Sequence, residues 1–134
     1  VLIEWSESLC LGLEEVDAQH RTMAELLNRL QTAASGADPG PALGILDELY
    51  LHTRDHFGFE EALMAGSAYP GAVEHRREHL MLMAELKSFI AGVRRGGELL
   101  DAAALAGLKK WLVGHIIAND RALVEYLRQA RPEP

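Results

Sequence analysis

Cysteine is almost absent from this chain: Cys10 stands alone, so no intrachain disulfide forms and nothing calls for an oxidising compartment. Basic residues are also scarce. Thirteen Lys and Arg face twenty Asp and Glu, for a formal net charge of -7 and a pI near 5.3. That balance excludes a protein that lives on phosphate backbones, since counterion release needs clustered Lys and Arg. His75-Arg76-Arg77 and Arg94-Arg95 are too short for the purpose and read as solvated helix faces. No apolar run approaches a membrane span, and the N-terminus lacks the basic flank and apolar block of a signal peptide. The expected location is therefore cytoplasmic, with neither nucleic acid nor membrane as a partner. The first residue is Val1 rather than Met, which leaves open a processed chain or a domain of something larger.

The composition that remains is that of one soluble domain. The chain has 134 residues, 49% hydrophobic and 25% charged, enough to bury a real core. Strand-like alternation of useful length is missing, whereas apolar residues recur at three- and four-residue steps throughout. Four helices are predicted. The first runs from about Asp17 to Ala34, with His20, Met23, Leu27, Leu30 and Ala34 on one stripe, and Ser35-Gly36 ends it. The second follows Asp38-Pro39-Gly40-Pro41 and carries Leu46, Leu49, Thr53, His56, Glu60 and Leu63. The third begins after Tyr69-Pro70-Gly71 and aligns His75, His79, Leu82, Leu86, Phe89 and Val93. The fourth, from about Asp101 to Arg128, offers Leu105, Leu108, Leu112, His115, Asn119 and Ala122. Short connections between long helices imply antiparallel neighbours, hence an all-α, up-down-up-down four-helix bundle over 17–128. Residues 1–16, with Trp5, Leu9 and Leu11, read as an arm packed across it, and 129–134 as a tail.

The ionisable residues on these otherwise largely apolar stripes are His20, His56, Glu60, His75, His79 and His115. Ionised groups facing a core cost several kcal/mol each, as an order of magnitude, unless they are paired, neutralised or bound to a cation. A residue and its fourth neighbour share a helix face, so His75 with His79, and His56 with Glu60, are each placed to chelate from one helix. Every helix supplies at least one inward imidazole, and Asp120 stands near His115 on the last. Imidazole plus carboxylate suits iron, manganese or zinc, and so many ligands suggest two ions sharing carboxylates as bridges. His115 and Asp120 are five residues apart, which on an ideal helix separates them by about 140°. Only a long reach or a local distortion would align both.

Asp17-Ala18-Gln19-His20, the run His56 to Glu61, Tyr69-Pro70, His75 to His79, and the run Trp111 to Asp120 together resemble the hemerythrin family, specifically its bacterial branch. The likeness spans nearly the whole chain. It implies a non-haem di-iron centre in which His75, His79 and His115 hold one iron and His20 and His56 the other. Glu60 and Asp120 would bridge both, with an oxo or hydroxo group completing the bridge between the Fe2+/Fe3+ ions. The iron with fewer protein ligands would keep an open position for O2. Around it the resemblance places Met23, Phe57, Trp111, Leu112 and Ile116, an apolar wall that limits water and proton donors and so favours reversible binding. Gly114, at a position where bulkier polar residues are familiar in relatives, would thin that wall. His52 falls outside the stripe and is expected at a helix boundary or the surface. Glu61 is expected to face solvent, and Asp17 either caps the first helix or orients a ligand histidine.

The function so implied is reversible O2 binding for storage, delivery or scavenging, not enzymatic turnover, because no catalytic acid or nucleophile beyond the metal ligands stands out. Two alternatives compete. The same domain joined to a signalling module would sense oxygen or redox state. A di-iron oxidase or peroxidase is the other, although ferritin-like sites use Glu-x-x-His pairs, which this chain replaces with His-x-x-x-Glu and His-x-x-x-His. A bundle without metal would leave its inward imidazoles and acids unpaired.

Overall fold

A computed structural model describes residues 1–130; the expected tail beyond residue 130 lies outside the described residues. The order is an arm with a single 3-10 turn at Glu7–Leu9, α1 (Glu14–Ala34), α2 (Gly40–Ser67), α3 (Ala72–Arg94), and a fourth helical run made of α4 (Ala102–Lys109), a π-helical segment (Lys110–Ile117) and α5 (Ala118–Ala130). There is no strand among the described residues. No helix is long and apolar enough to cross a membrane. The all-α, antiparallel four-helix bundle with an N-terminal arm expected from the sequence is the architecture observed.

Local chemistry explains the boundaries. Pro41 falls in the first turn of α2, where its missing N–H costs nothing. Asp101 caps α4 by accepting from the Ala104 amide at 2.9 Å. α2 stops at Ala68, which adopts the left-handed conformation at φ 53, a cost that alanine normally avoids. Tyr126 of α5 donates to the Ser67 carbonyl at 2.8 Å, so the strained end is tied down by the opposite helix. α1 begins at Glu14, three residues before the expected start, because Leu13 and Val16 are already buried.

The arm is pinned at two points. Asn28 accepts from the Ile3 amide and donates to the Ile3 carbonyl, both at 2.8 Å. Further on, the buried Asp17 accepts from the amides of Leu11 at 2.7 Å and Gly12 at 3.1 Å. Asp17 therefore neither caps α1 nor orients a histidine; it anchors the arm. Gly12 turns at φ +100, and a Cβ there would meet the Arg128 guanidinium at 2.7 Å, so only glycine lets the arm pass under that side chain.

The core runs down the bundle axis through Leu27, Leu30, Leu46, Leu49, Leu82, Leu86 and Leu112, each nearly or wholly buried and each worth about 1.5–3 kcal/mol of burial. In the first three helices the inward stripe follows the expected spacing beside the histidines, but Ala34, Leu63, Phe89 and Val93 toward the helix ends are half-buried, and Met64 and Ile90 are the buried residues at two of those turns. In the fourth the stripe does not follow it. Leu105, Leu108 and Leu112 are buried as expected, but the next inward residues are Ile116, Asp120, Leu123 and Val124, while His115 and Ala122 are exposed and Asn119 is half-buried. The step from Leu112 to Ile116 takes four residues where the regular pattern would take three. The π-helical turns hold that additional residue, and every inward position after them is displaced by one.

Candidate metal centre

Six of the seven expected ligand residues converge. His20 comes from α1, His56 and Glu60 from α2, His75 and His79 from α3, and Asp120 from the first turn of α5. All six are buried, from 0% exposed for His20 and Glu60 to 6% for His75. Their donor atoms form two overlapping sets, His20, His56, Glu60 and Asp120, and Glu60, His75, His79 and Asp120, each with every donor within 4.8 Å of the others. Both carboxylates belong to both sets. Two imidazoles per set and two shared acids make a frame for two cations.

The contacts inside the cluster are all between acceptor-rich groups. His20 Nε2 lies 2.6 Å and His56 Nε2 2.9 Å from Asp120 Oδ2. His75 Nε2 lies 3.1 Å from Asp120 Oδ1 and 3.3 Å from Glu60 Oε1. His79 Nε2 sits 3.0 Å from Glu60 Oε1, and its other nitrogen, Nδ1, 3.0 Å from Glu61 Oε2. A neutral imidazole has one N–H and one lone pair, so His79 can donate to only one of the two carboxyl groups at its ends and aims its lone pair at the other. Protonating the ring would relieve this, yet burial pulls both His56 and His79 below the ordinary imidazole value despite the neighbouring acids. A metal ion accepting the Nε2 lone pair relieves it without that cost.

The acids point the same way. Burial, then the charge of Asp120, drives Glu60 well above the usual carboxylate range. Burial alone would also raise Asp120, but hydrogen bonds from His20, His56, His75 and Glu60 outweigh it and hold that carboxyl well below its ordinary value. Two carboxyls in one pocket without a cation thus share a proton. Glu60 Oε2 and His20 Nδ1 are buried with no hydrogen-bond partner among the described residues, and an oxygen left unpaired in the middle of the cluster is a vacant donor for a cation. The residues fit a pair of metal ions.

His115 departs from expectation. It is exposed, and it belongs to neither set. Ile116, its neighbour, is 1% exposed and holds the inward position; the widened turn that brings Asp120 inward leaves His115 on the outer side. Gly114 is likewise exposed, and a Cβ there would meet only Lys110 Cγ at 3.3 Å. It is part of the outer surface and thins no internal wall. The apolar residues expected near the open position are all buried: Met23, Phe57, Trp111, Leu112 and Ile116. Phe57 stacks on His79 with centroids 3.8 Å apart, and Trp111 donates from Nε1 to the Leu82 carbonyl at 3.2 Å.

Two side chains beside the candidate ligands make contacts that spacing did not reveal. Glu61, expected in solvent, is 42% exposed and accepts from His79 Nδ1–H. Gln19 accepts from His56 Nδ1–H at 2.5 Å through its side-chain carbonyl. His52, as expected, is a boundary residue, and its Nε2–H donates to the Gln19 backbone carbonyl at 3.0 Å. The signal for both acceptors was present as adjacency, Gln19 before His20 and Glu61 after Glu60, but it becomes legible only once the facing helix is known. His75 also lines a small cleft, about 170 Å³, with Tyr69, Glu74, Glu78 and Asn119, so the centre approaches the surface beside α3.

Comparison with known proteins agrees with this geometry. The family described as "Hemerythrin HHE cation binding domain" matches residues 11–127. A bacteriohemerythrin of Ralstonia nicotianae is 30% identical over 132 residues, covering 98% of this chain and 93% of its own. One from Stenotrophomonas maltophilia is 29% identical over 127 residues, 95% of this chain and 82% of its own. A myohemerythrin of Riftia pachyptila is 31% identical over 116 residues, 87% and 86% of the two chains. Among solved structures, a wild-type hemerythrin superposes with a TM-score of 0.86 at 23% identity, covering 95% of this chain and 98% of that one, which establishes the shared fold.

Proposed function

We propose, from the premise that this chain belongs to the hemerythrin family, that it binds O2 reversibly at a non-haem di-iron centre held by His20, His56, Glu60, His75, His79 and Asp120. The observation that carries the reading is the pair of overlapping donor sets that share Glu60 and Asp120. A pair of irons held so close together would supply the two electrons that reversible O2 binding requires. The rest is the work of the chain. Glu60 and Asp120 tie the two positions to one another, and the histidines keep them in nitrogen-rich surroundings that suit iron. Phe57, packed flat on His79, holds that ring in place, while the buried Met23, Trp111, Leu112 and Ile116 exclude water from the bundle interior.

The two donor sets do not include His115, which is exposed. Storage, delivery or scavenging of oxygen is the biological role that such a site serves. Metal analysis combined with optical spectra tests the reading: two irons per chain are expected, with visible bands that appear in air and vanish on deoxygenation over repeated cycles. Bands that form once and do not reverse would reject it. Many turnovers with hydrogen peroxide and an electron donor, well above the rate of free iron, would favour the peroxidase alternative.

A further inference from the structure

Toward the C-terminal end of α3, away from the histidines, α3 and α4 do not close on each other. A groove of about 640 Å³ lies between them, with Leu86, Phe89, Leu108 and Trp111 along its apolar floor. The gap follows from residue size. α4 turns Ala103, Ala104 and Gly107 toward it, and a Cβ on Gly107 would meet nothing within 4 Å, so at these positions no side chain fills the space. Every charged residue on the groove is acidic: Glu85 from α3, and Glu98 and Asp101 from the connection, with no Lys, Arg or His among the described residues that line it. The two acids of the connection are held in place. Asp101 accepts from the Ala104 amide. Glu98 follows a turn in which the amides of Gly97 and Glu98 donate to the Gly92 carbonyl at 2.9 and 3.1 Å, and its Cγ lies 2.5 Å from where a Cβ on Gly92 would stand.

An open apolar floor under a rim of one sign fits a ligand that covers the floor and carries the opposite charge. Size selects its class. The volume falls within the range of about 300–1,000 Å³ usual for small-molecule sites. A partner helix sets its anchors over two turns or more, but the groove borders α3 over one turn only, from Glu85 to Phe89. We infer that the groove is a binding site for a small organic cation, an amine with an apolar body. The body lies on Phe89, Leu108 and Trp111, and the ammonium faces Glu85 and Glu98. This site is distinct from the metal centre and its assignment is independent of what the centre binds. Trp111 is the residue common to the groove and the apolar wall of the interior. Two solvent-exposed ion pairs favour the amine over a neutral analogue by roughly three- to tenfold, and added salt screens that preference while leaving the apolar contribution in place.

The test is calorimetric titration of the metal-loaded protein with octylamine, octanol and octanoate, which share one apolar body, while NMR follows the indole N–H signals of Trp111 and Trp5. Trp5 packs beside Arg21 on α1 and serves as the internal control. Octylamine is expected to saturate a single site, to move the Trp111 signal and not that of Trp5, and to bind roughly three- to tenfold more tightly than octanol, with octanoate weakest. Glu85→Gln combined with Glu98→Gln should bring octylamine down to the affinity of octanol. Gly107→Met fills the groove from α4, where there is room for it, and should abolish binding with the thermal midpoint kept or raised, because methionine is the better helix former. Equal affinity for the three probes, no saturable binding, a Trp111 signal that stays still on binding, or binding unaltered in Gly107→Met would each overturn the assignment. Self-association that grows with protein concentration and is lost in Gly107→Met would make a second copy of the chain the occupant, and would overturn it too.

Discussion

α3 and the fourth helical run each carry a pair of polar residues expected at the centre, and only α3 delivers both. On α3, His75 and His79 are four apart on evenly wound helix, and both rings arrive buried. On the fourth run, His115 and Asp120 are five apart across a change of winding; Asp120 is 1% exposed and His115 lies at the surface. Histidines on the two runs thus took opposite placements because helical spacing holds only while the winding stays constant. The π-helical segment moves the inward stripe by one residue, and that shift brings in the aspartate at the histidine's expense.

The largest expected effect comes from the residue that the altered winding delivers. Asp120→Asn keeps the shape but removes the charge that both donor sets share. It should cost at least one of the two metal ions, read by metal analysis after dialysis; full occupancy of both would break the claim that Asp120 is common to the two positions. Next, His79→Ala and His115→Ala compare the two helices directly. Loss of His79 should reduce metal affinity by more than tenfold, as an order of magnitude for removing a donor rather than its support, whereas His115→Ala should leave both ions bound. A loss in His115→Ala as large as in His79→Ala would show that loading rewinds the segment and carries His115 inward.

A deletion sharpens the comparison further. Removing Gly114, an exposed residue within the π-helical segment, takes out the additional residue and lets Ile116 and Asp120 reach inward at ordinary three- and four-residue steps. Metal stoichiometry should be retained, with slower amide exchange across the former wide turns. Loss of the ions on this deletion would mean that the wide turns position Asp120 by more than register.

The smallest effect is one of pH on the metal-free protein. Glu60 is raised by burial, so its contribution to stability is present below the usual carboxylate range and is lost as pH rises through its raised value. His56 and His79 are lowered by burial, so their contributions are present above the ordinary imidazole value and are lost as pH falls through the lowered ones. The metal-free thermal midpoint should therefore decline as pH rises above the usual carboxylate range, and the decline should be smaller in Glu60→Gln. Bound metal should flatten it, since cations let both acids ionise. An identical decline with rising pH, with and without the Glu60 carboxyl, would remove this account of the cluster.

Much of the molecule was legible in the order of its residues. Three- and four-residue apolar steps, proline and glycine at the breaks, and imidazoles on otherwise apolar stripes determined the helices, the antiparallel bundle and five inward candidate ligands, His20, His56, Glu60, His75 and His79, because those features depend on contacts within a turn or two of helix. Three assignments depended instead on what faces each helix. Asp120 enters and His115 leaves according to a change of winding that a regular repeat does not announce. Glu61 meets His79 across a helix interface, and Asp17 finds the backbone of an arm that reaches it only after folding. Short-range periodicity decides which face of a helix is apolar, but the partner of a charged side chain is chosen by whichever element packs against it, and that choice is made only in three dimensions.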